Sequence, residues 1–190
     1  NLTNHSVPTL VSSNQDIIMS FINKYKQVVV KPLNLMGGQD IIKLSYRDKS
    51  LSRKITNITQ DAEKFIMVQK YLNQVKNGDT RILIINGIVH EDVLVRYPPK
   101  NDFRANLSYG GKFEVKKIKY KHLSHLKDIG VFLKNNRIYF AGVDMIGDYI
   151  TEINITSPTG IQQIETKDKY LSSKISKEFE KIVEQYYDDK

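Results

Sequence analysis

Apolar residues recur at helical spacing at Ile17, Ile18, Phe21, Ile22 and Tyr25, so the chain begins with a helix over roughly 14–26 that buries one face. Ser13 stands where it can cap that helix, with Asp16 three residues on. The pattern then shortens to β-branched runs. Val28-Val29-Val30 leads into Lys31-Pro32, and Ile41-Ile42-Lys43-Leu44 follows Asn34-Leu35-Met36-Gly37-Gly38, which predicts a strand, a glycine turn and a strand. A weaker helical stretch covers 51–58, and Phe65-Ile66-Met67-Val68-Gln69 predicts a buried strand.

Arg81–Ile85 and Ile88–Val95 flank Asn86-Gly87, the dipeptide suited to the positive φ angles of a two-residue hairpin turn. From Tyr97 to Lys112 the chain is polar, carries Pro98, Pro99, Gly110 and Gly111, and has no apolar period. A long insert of this kind in a compact domain is a candidate lid or binding loop. Leu123, Leu126, Ile129 and Leu133 predict a helix, and Tyr139–Ile146 and Tyr149–Asn154 predict a second strand pair across Gly147-Asp148. Leu171, Ile175, Phe179, Ile182, Val183 and Tyr186 line one side of a C-terminal amphipathic helix. No internal repeat is present, and the order of elements is α+β.

Composition narrows this picture. With 190 residues, 40% of them apolar, the chain can bury a sizeable core and is not a disordered tail. A net charge of +8 calls for an anionic partner: nucleic acid, a membrane surface or a phosphorylated small molecule. The 23 lysines far outnumber the 6 arginines, a bias that an A+T-rich genome produces through codon usage, so part of the charge carries no function. The absence of cysteine excludes disulfides, thiolate metal sites and a cysteine nucleophile. No apolar run approaches a membrane span and no signal peptide is legible, so the expected setting is a soluble, cytoplasmic one. The chain starts without Met and reads as a fragment.

Four groups of residues could carry chemistry. Glu152 and Asn154 are two apart on one strand, and an antiparallel neighbour can bring Asp144 beside them. Three oxygen ligands of this kind suit Mg²⁺; the same residues also suit a turn and a solvent-facing glutamate. Gly37-Gly38 is a candidate phosphate loop, which Lys31 could reach, although Gly-Gly between strands also serves as a plain turn. Arg81, Arg96 and Arg104 are half of all the arginines and bracket the hairpin and the long loop, where they could meet carboxylate or phosphate. Lys112, Lys116, Lys117, Lys119, Lys121 and Lys127, with His122 and His125 among them, form a basic run read as a solvated helix face. It carries few aromatics and no RNA-recognition signature, and the two histidines lack the further ligands of a metal set.

The ordered motifs Val30-Lys31-Pro32-Leu33, Met36-Gly37-Gly38, Gln69-Lys70-Tyr71-Leu72, Gly78-Asp79-Thr80-Arg81, Arg104-Ala105-Asn106-Leu107 and Gly110-Gly111 continue into two denser ones. These are Phe140-Ala141-Gly142-Val143-Asp144-Met145-Ile146-Gly147-Asp148 and Thr151-Glu152-Ile153-Asn154-Ile155-Thr156-Ser157-Pro158-Thr159. Together, from about Pro8 to Glu165, they resemble bacterial glutathione synthetase of the ATP-grasp superfamily. The resemblance implies an ATP-grasp fold, with a smaller subdomain over 1–70 and a larger one over 71–190 that carries a lid at 97–112 and the metal site. It implies an ATP-dependent ligase joining γ-glutamylcysteine to glycine through an acyl phosphate. Lys31, Gly37, Gly38, Gln69, Lys70, Tyr71, Leu72 and Asp79 would then bind ATP. Asp144, Glu152 and Asn154 would hold Mg²⁺, with Mn²⁺ as the alternative, and Arg81, Arg96 and Arg104 would serve the reacting centre and the lid. No nucleic acid or membrane partner is implied, and the full-length protein is expected to be a homo-oligomer.

Three departures qualify the resemblance. Asn34-Leu35 replaces the acidic residue and glycine that usually precede Met-Gly-Gly, and Gly160 stands where a cysteine is frequent. Full-length members of the family are expected to carry an N-terminal domain and another ATP-contacting lysine, besides the one matching Lys31, upstream of where this sequence begins. The alternatives are another carboxylate–amine ligase of the superfamily, or a nucleotide-binding fragment that does not turn over alone.

Overall fold

A computed structural model describes residues 5–34, 40–105 and 110–188. The chain divides into two compact units, one formed by Ser6–Asn73 and the other by the chain from Gln74 onward, which His5 joins.

In the first unit four antiparallel strands lie in the order β1 (Thr9–Ser12), β4 (Ile66–Lys70), β2 (Gln27–Pro32), β3 (Ile42–Ser45). Helices α1 (Gln15–Tyr25) and α2 (Leu51–Thr59) cover one face. Ile18, Ile22, Leu51 and Ile55 pack there against Val28, Val30, Leu44, Ile66 and Val68. The alternate positions Val29, Lys31, Lys43, Met67 and Gln69 belong to the other face. The helix cap is Asn14, whose Oδ1 accepts from the Ile17 amide at 3.0 Å; Ser13, the expected cap, is displaced because Ser12 Oγ already fixes the Asn14 amide. Phe65, expected in the buried strand, is 58% exposed and precedes it. Strand β1 escapes the hydrophobic pattern because it is a four-residue edge with only Ser12 buried.

In the second unit the strand order is β10 (Tyr149–Asn154), β9 (Phe140–Ile146), β5 (Asp79–Ile85), β7 (Asp92–Tyr97), β8 (Lys112–Lys117), all antiparallel, with β6 (Ile88–Val89) pairing on β5. Period-two alternation sorts this sheet into two unlike faces. Ile82, Ile84, Val93, Val95, Ala141, Val143 and Met145 meet Leu126, Ile129 and Leu133 of α3 (Tyr120–Asn135). On the opposite face Leu83, Ile85, Leu94 and Val115 meet Ile164 of the short α4 (Ile161–Ile164) and Leu171 and Ile175 of α5 (Leu171–Asp188).

Asn86 and Gly87 take φ of 50° and 80°, the left-handed pair that a tight hairpin turn requires. The hairpin itself is shorter than its apolar pattern. From the pair Ile84↔Val89 to the pair Arg81↔Leu94, β5 uses three residues and its partner five, so His90 and Glu91 bulge out between β6 and β7. The basic run is also not one helix face. Lys112, Lys116 and Lys117 lie on β8, an edge strand whose only buried residue is Val115; edge lysines of this kind discourage further strand pairing. His122 and Lys121 bond instead to Asp148 in the turn after β9. Finally, the apolar stripe of α5 is buried only at Leu171 and Ile175, while Phe179, Val183 and Tyr186 are exposed.

The Asn86-Gly87 turn rests on α3 at Gly130, where an added Cβ would overlap the Gly87 carbonyl oxygen. Alanine favours a helix interior over glycine by about 1 kcal/mol, yet overpacking against backbone costs about 1–3 kcal/mol. Gly130→Ala is therefore expected to lower stability in urea unfolding, opposite in sign to helix propensity.

Candidate active site

The antiparallel registers place Arg81 beside Asp144, and Asp79 beside Arg96, so these four side chains share the α4/α5 face of the sheet. Arg81 grips Asp144 with two parallel bonds, Nε to Oδ1 at 2.8 Å and Nη2 to Oδ2 at 2.7 Å. Arg96 Nη2 lies 2.8 Å from Asp79 Oδ2 and 3.0 Å from Asp144 Oδ2. Arg81 also donates through Nη1 to Thr159 Oγ1 at 2.9 Å, which ties the Ser-Pro-Thr segment to the sheet. Arg81 and Asp144 are each 5% exposed and Arg96 9%.

Room for this arrangement comes from two glycines. A Cβ at Gly142 would sit 3.4 Å from Arg81 Nε and 3.2 Å from Pro158, and one at Gly160 would meet Leu94 at 3.2 Å and the Arg81 stem at 3.6 Å. Gly160 also takes φ of +114°, a conformation that residues with a side chain rarely adopt.

A bulge aims the last acidic group. The turn sets the pairs Tyr149↔Ile146 and Ile150↔Met145, after which the register shifts to Glu152↔Asp144 and Asn154↔Gly142. Thr151 is the extra residue, and its Oγ1 bonds the Asp144 carbonyl at 3.2 Å. Without the bulge Glu152 would oppose Val143 on the face packed by α3. With it, Asp144, Glu152 and Asn154 share one face.

Burial by itself would raise the Asp144 pKa, but the Arg96 charge and the bonds from Arg81 outweigh it and hold the carboxyl below its ordinary value. Burial likewise disfavours the charged form of Arg96; the charges of Asp79, Asp144 and Glu152 win and keep it protonated. Arg96 Nε is buried without a hydrogen-bond partner.

Other expected site residues are dispersed. Arg104 is bound to Asp102 in its own loop, Nη2 to Oδ2 at 2.7 Å. In the first unit, Gln69 is buried and donates to Thr9 Oγ1 at 3.0 Å, Lys31 is half-buried near the end of β2, and Leu72 is buried. Lys70 and Tyr71 donate their amides to the Pro8 and Gln27 carbonyls, each at 3.0 Å. Lys43, which no motif singles out, places Nζ 3.5 Å from the centre of the Tyr71 ring; its signal is alternation, since it lies between core-facing Ile42 and Leu44. Gly37 and Gly38 lie outside the described residues.

Among solved structures the chain is similar to D-cycloserine synthetase, with a TM-score of 0.61, 14% identity, and coverage of 83% of this chain and 60% of that one. At that identity the likeness defines the fold, which is ATP-grasp. The family model for the prokaryotic glutathione synthetase ATP-grasp domain matches residues 1–169, and the chain belongs to that family. It is 38% identical over 164 residues to the glutathione synthetase of Coxiella burnetii, covering 86% of this chain and 51% of the relative. To that of Buchnera aphidicola it is 41% identical over 157 residues, covering 83% and 48%. The chain thus spans about half the length of these curated relatives.

The Asp144 shift fixes a pH dependence. A carboxylate whose folded pKa is depressed stabilises the fold fully above its unfolded value, near 3.8, and loses that contribution as pH falls through the lower folded value. Asp144→Asn removes this acid limb and leaves two buried guanidiniums short of a counter-charge, a loss of about 3–5 kcal/mol. Thermal melts from pH 7 down to pH 2 should show a lower melting temperature at neutral pH and a flatter acid dependence in the variant.

Proposed function

We propose that this chain is the ATP-grasp portion of an ATP-dependent carbon–nitrogen ligase that joins γ-glutamylcysteine to glycine through an acyl phosphate. The observation that carries the reading is the Arg81–Asp144–Arg96–Asp79 quartet, buried but for the half-buried Asp79, on the same sheet face as Glu152 and Asn154, in a chain of this family.

Asp144, Glu152 and Asn154 offer two carboxylates and an amide oxygen, the hard donors that suit Mg²⁺, with Mn²⁺ as the alternative. Asp144 fits this role although it is already bonded. A carboxylate has about four acceptor sites, and the two arginines take three contacts, which leaves room on Oδ1. A divalent ion held there would neutralise charge on the phosphate oxygens of ATP. The γ-glutamylcysteine carboxylate would attack the γ-phosphorus as ADP leaves; the glycine amine would then attack the acyl carbon, lose a proton and expel phosphate.

Arg81 and Arg96 stay charged throughout, and in this reading they stabilise the oxyanion that forms when the amine attacks. Lys31 and the Gly37-Gly38 loop contact the ATP phosphates, Gln69, Lys70, Tyr71 and Leu72 line the adenine, and Asp79 positions Arg96 near the nucleotide. Arg104 travels with the 97–112 segment, which closes to keep water from the acyl phosphate. The full-length protein is a homo-oligomer in the same reading.

Glu152 is exposed, so its replacement tests chemistry without emptying the core. ADP release with γ-glutamylcysteine and glycine should fall about 100-fold or more in Glu152→Gln, the size of losing one transition-state charge contact, at an unchanged melting temperature. The assay compares this chain with a version extended at its N-terminus. If neither form releases ADP with these substrates, or if Glu152→Gln keeps the wild-type rate, the reading fails.

A further inference from the structure

At the far end of β7 from Arg96 lies a second constellation of ligand-type side chains. His90, Asp92 and Asp168 each offer one ligand atom, and these atoms lie within 4.8 Å of one another. Three different segments supply them: the bulge after β6, the first residue of β7, and the stretch between α4 and α5. The bulge is what turns His90 in, and its amide is held by the Leu83 carbonyl at 2.8 Å. Asp92 and Arg96 are four residues apart on an extended strand, so roughly 13 Å separates this group from the quartet.

The histidine is the informative member. Its Nε2 is buried and makes no hydrogen bond, while the nearest carboxylate oxygen, Asp168 Oδ2, stands 3.7 Å away. That separation is too long for a hydrogen bond. It is close to the roughly 3.4 Å between two ligand atoms that each sit about 2.1 Å from a tetrahedral ion. Burial pushes the His90 pKa down, against the pull of Asp168 and Asp92 and with the help of Lys174 and Lys117, so the ring is neutral at pH 7 with a lone pair to give.

Charge balance points the same way. Lys174 Nζ sits 2.7 Å from Asp168 Oδ2 and Lys117 Nζ 3.1 Å from Asp92 Oδ2. Both lysine side chains are more than half exposed, at 59% and 67%, whereas the two carboxylates are 11% and 17% exposed. The carboxylates are fixed and their counter-ions can swing into water. A divalent cation replaces the two ammonium groups without changing the net charge of the site.

We propose that His90, Asp92 and Asp168 form a binding site for a divalent transition metal of the zinc class, separate from the Asp144–Glu152–Asn154 set. One imidazole nitrogen and two carboxylates with water completing the shell suit Zn²⁺, and the nitrogen selects it over Mg²⁺. The ion would pin the β6–β7 bulge to the chain entering α5, a structural role within this unit.

The test is calorimetric titration of the full chain with Zn²⁺, in the absence of nucleotide, repeated with Co²⁺ to read its visible d–d bands. The expected result is a site that survives in Glu152→Gln and weakens more than tenfold in His90→Ala and in Asp168→Asn. Lys174→Ala removes a competing cation and should tighten Zn²⁺ binding several-fold, an effect that a folding defect cannot mimic. Absence of binding to the wild type, unchanged affinity in His90→Ala, or weaker binding in Lys174→Ala would each overturn the proposal.

Discussion

Asp144 is pulled out of water by the sheet and the helices packed on it, and it stays charged only because two guanidiniums meet it there. The Arg81 fork takes both of its oxygens and Arg96 adds a third contact. Burying any one of these charges alone is prohibitive; buried together, with Asp79 opposite Arg96, they carry no net charge. The pairing requires β5, β7 and β9 to hold one register. A one-residue slip of β9 along β5 would carry Asp144 to the α3 side, leaving Arg81 without its carboxylate and Arg96 with Asp79 alone. The quartet is weak evidence for raw stability, since an apolar replacement could pack as well. Its consequence is positional: it fixes where the acidic and basic groups stand before any ligand arrives.

Much of this could be read in the sequence because it follows alternation. Asn86-Gly87 marked the hairpin, and the unbroken apolar run 82–85 and the alternating Ala141, Val143 and Met145 marked strands. What alternation could not give is where it stops. In an unbulged two-residue hairpin Glu152 opposes Val143, and the acidic pair would be split between the two faces. The bulge at Thr151 corrects this, and its trace in the sequence is the spacing of Ile150 and Ile153, three apart, which both pack on the α3 side. A strict period of two cannot put both on one face. The His90-Glu91 bulge left a similar trace as a polar break in an apolar run. Lysine-rich β8 left none, because one buried valine is too faint a signal against five polar or exposed positions.

The helices on the first unit cover one face of its sheet, and the face they leave carries Lys31, Lys43, Val29, Met67 and Gln69. In the function proposed above, such a face would offer stacking area for a base and positive charge for phosphates. Two of these residues are lysines among 23, so number alone hides them. Position on the face opposite the helices separates Lys31 and Lys43 from lysines of the β8 edge. The excess of +8 does not by itself distinguish these two lysines from the rest.

Strand β7 shows how the same pairing can be made permanent or exchangeable. At one end Arg96 stands directly across from Asp79, and at the other Asp92 stands directly across from Lys117. Both are cross-strand ion pairs between a carboxylate and a cation. Arg96 is buried, planar and shared between two carboxylates, so its charge cannot leave without stranding them. Lys117 reaches Asp92 from a side chain that is 67% exposed, and an ammonium on a flexible stem loses little by returning to water. In the proposed function the arginine end would orient the reaction, because its charge is fixed before any ligand binds. At the proposed metal site the lysine end would accept a different cation, because an exposed ammonium is the readily displaced partner. Which cation faces a buried carboxylate thus separates a preorganised centre from an exchangeable one on a single six-residue strand.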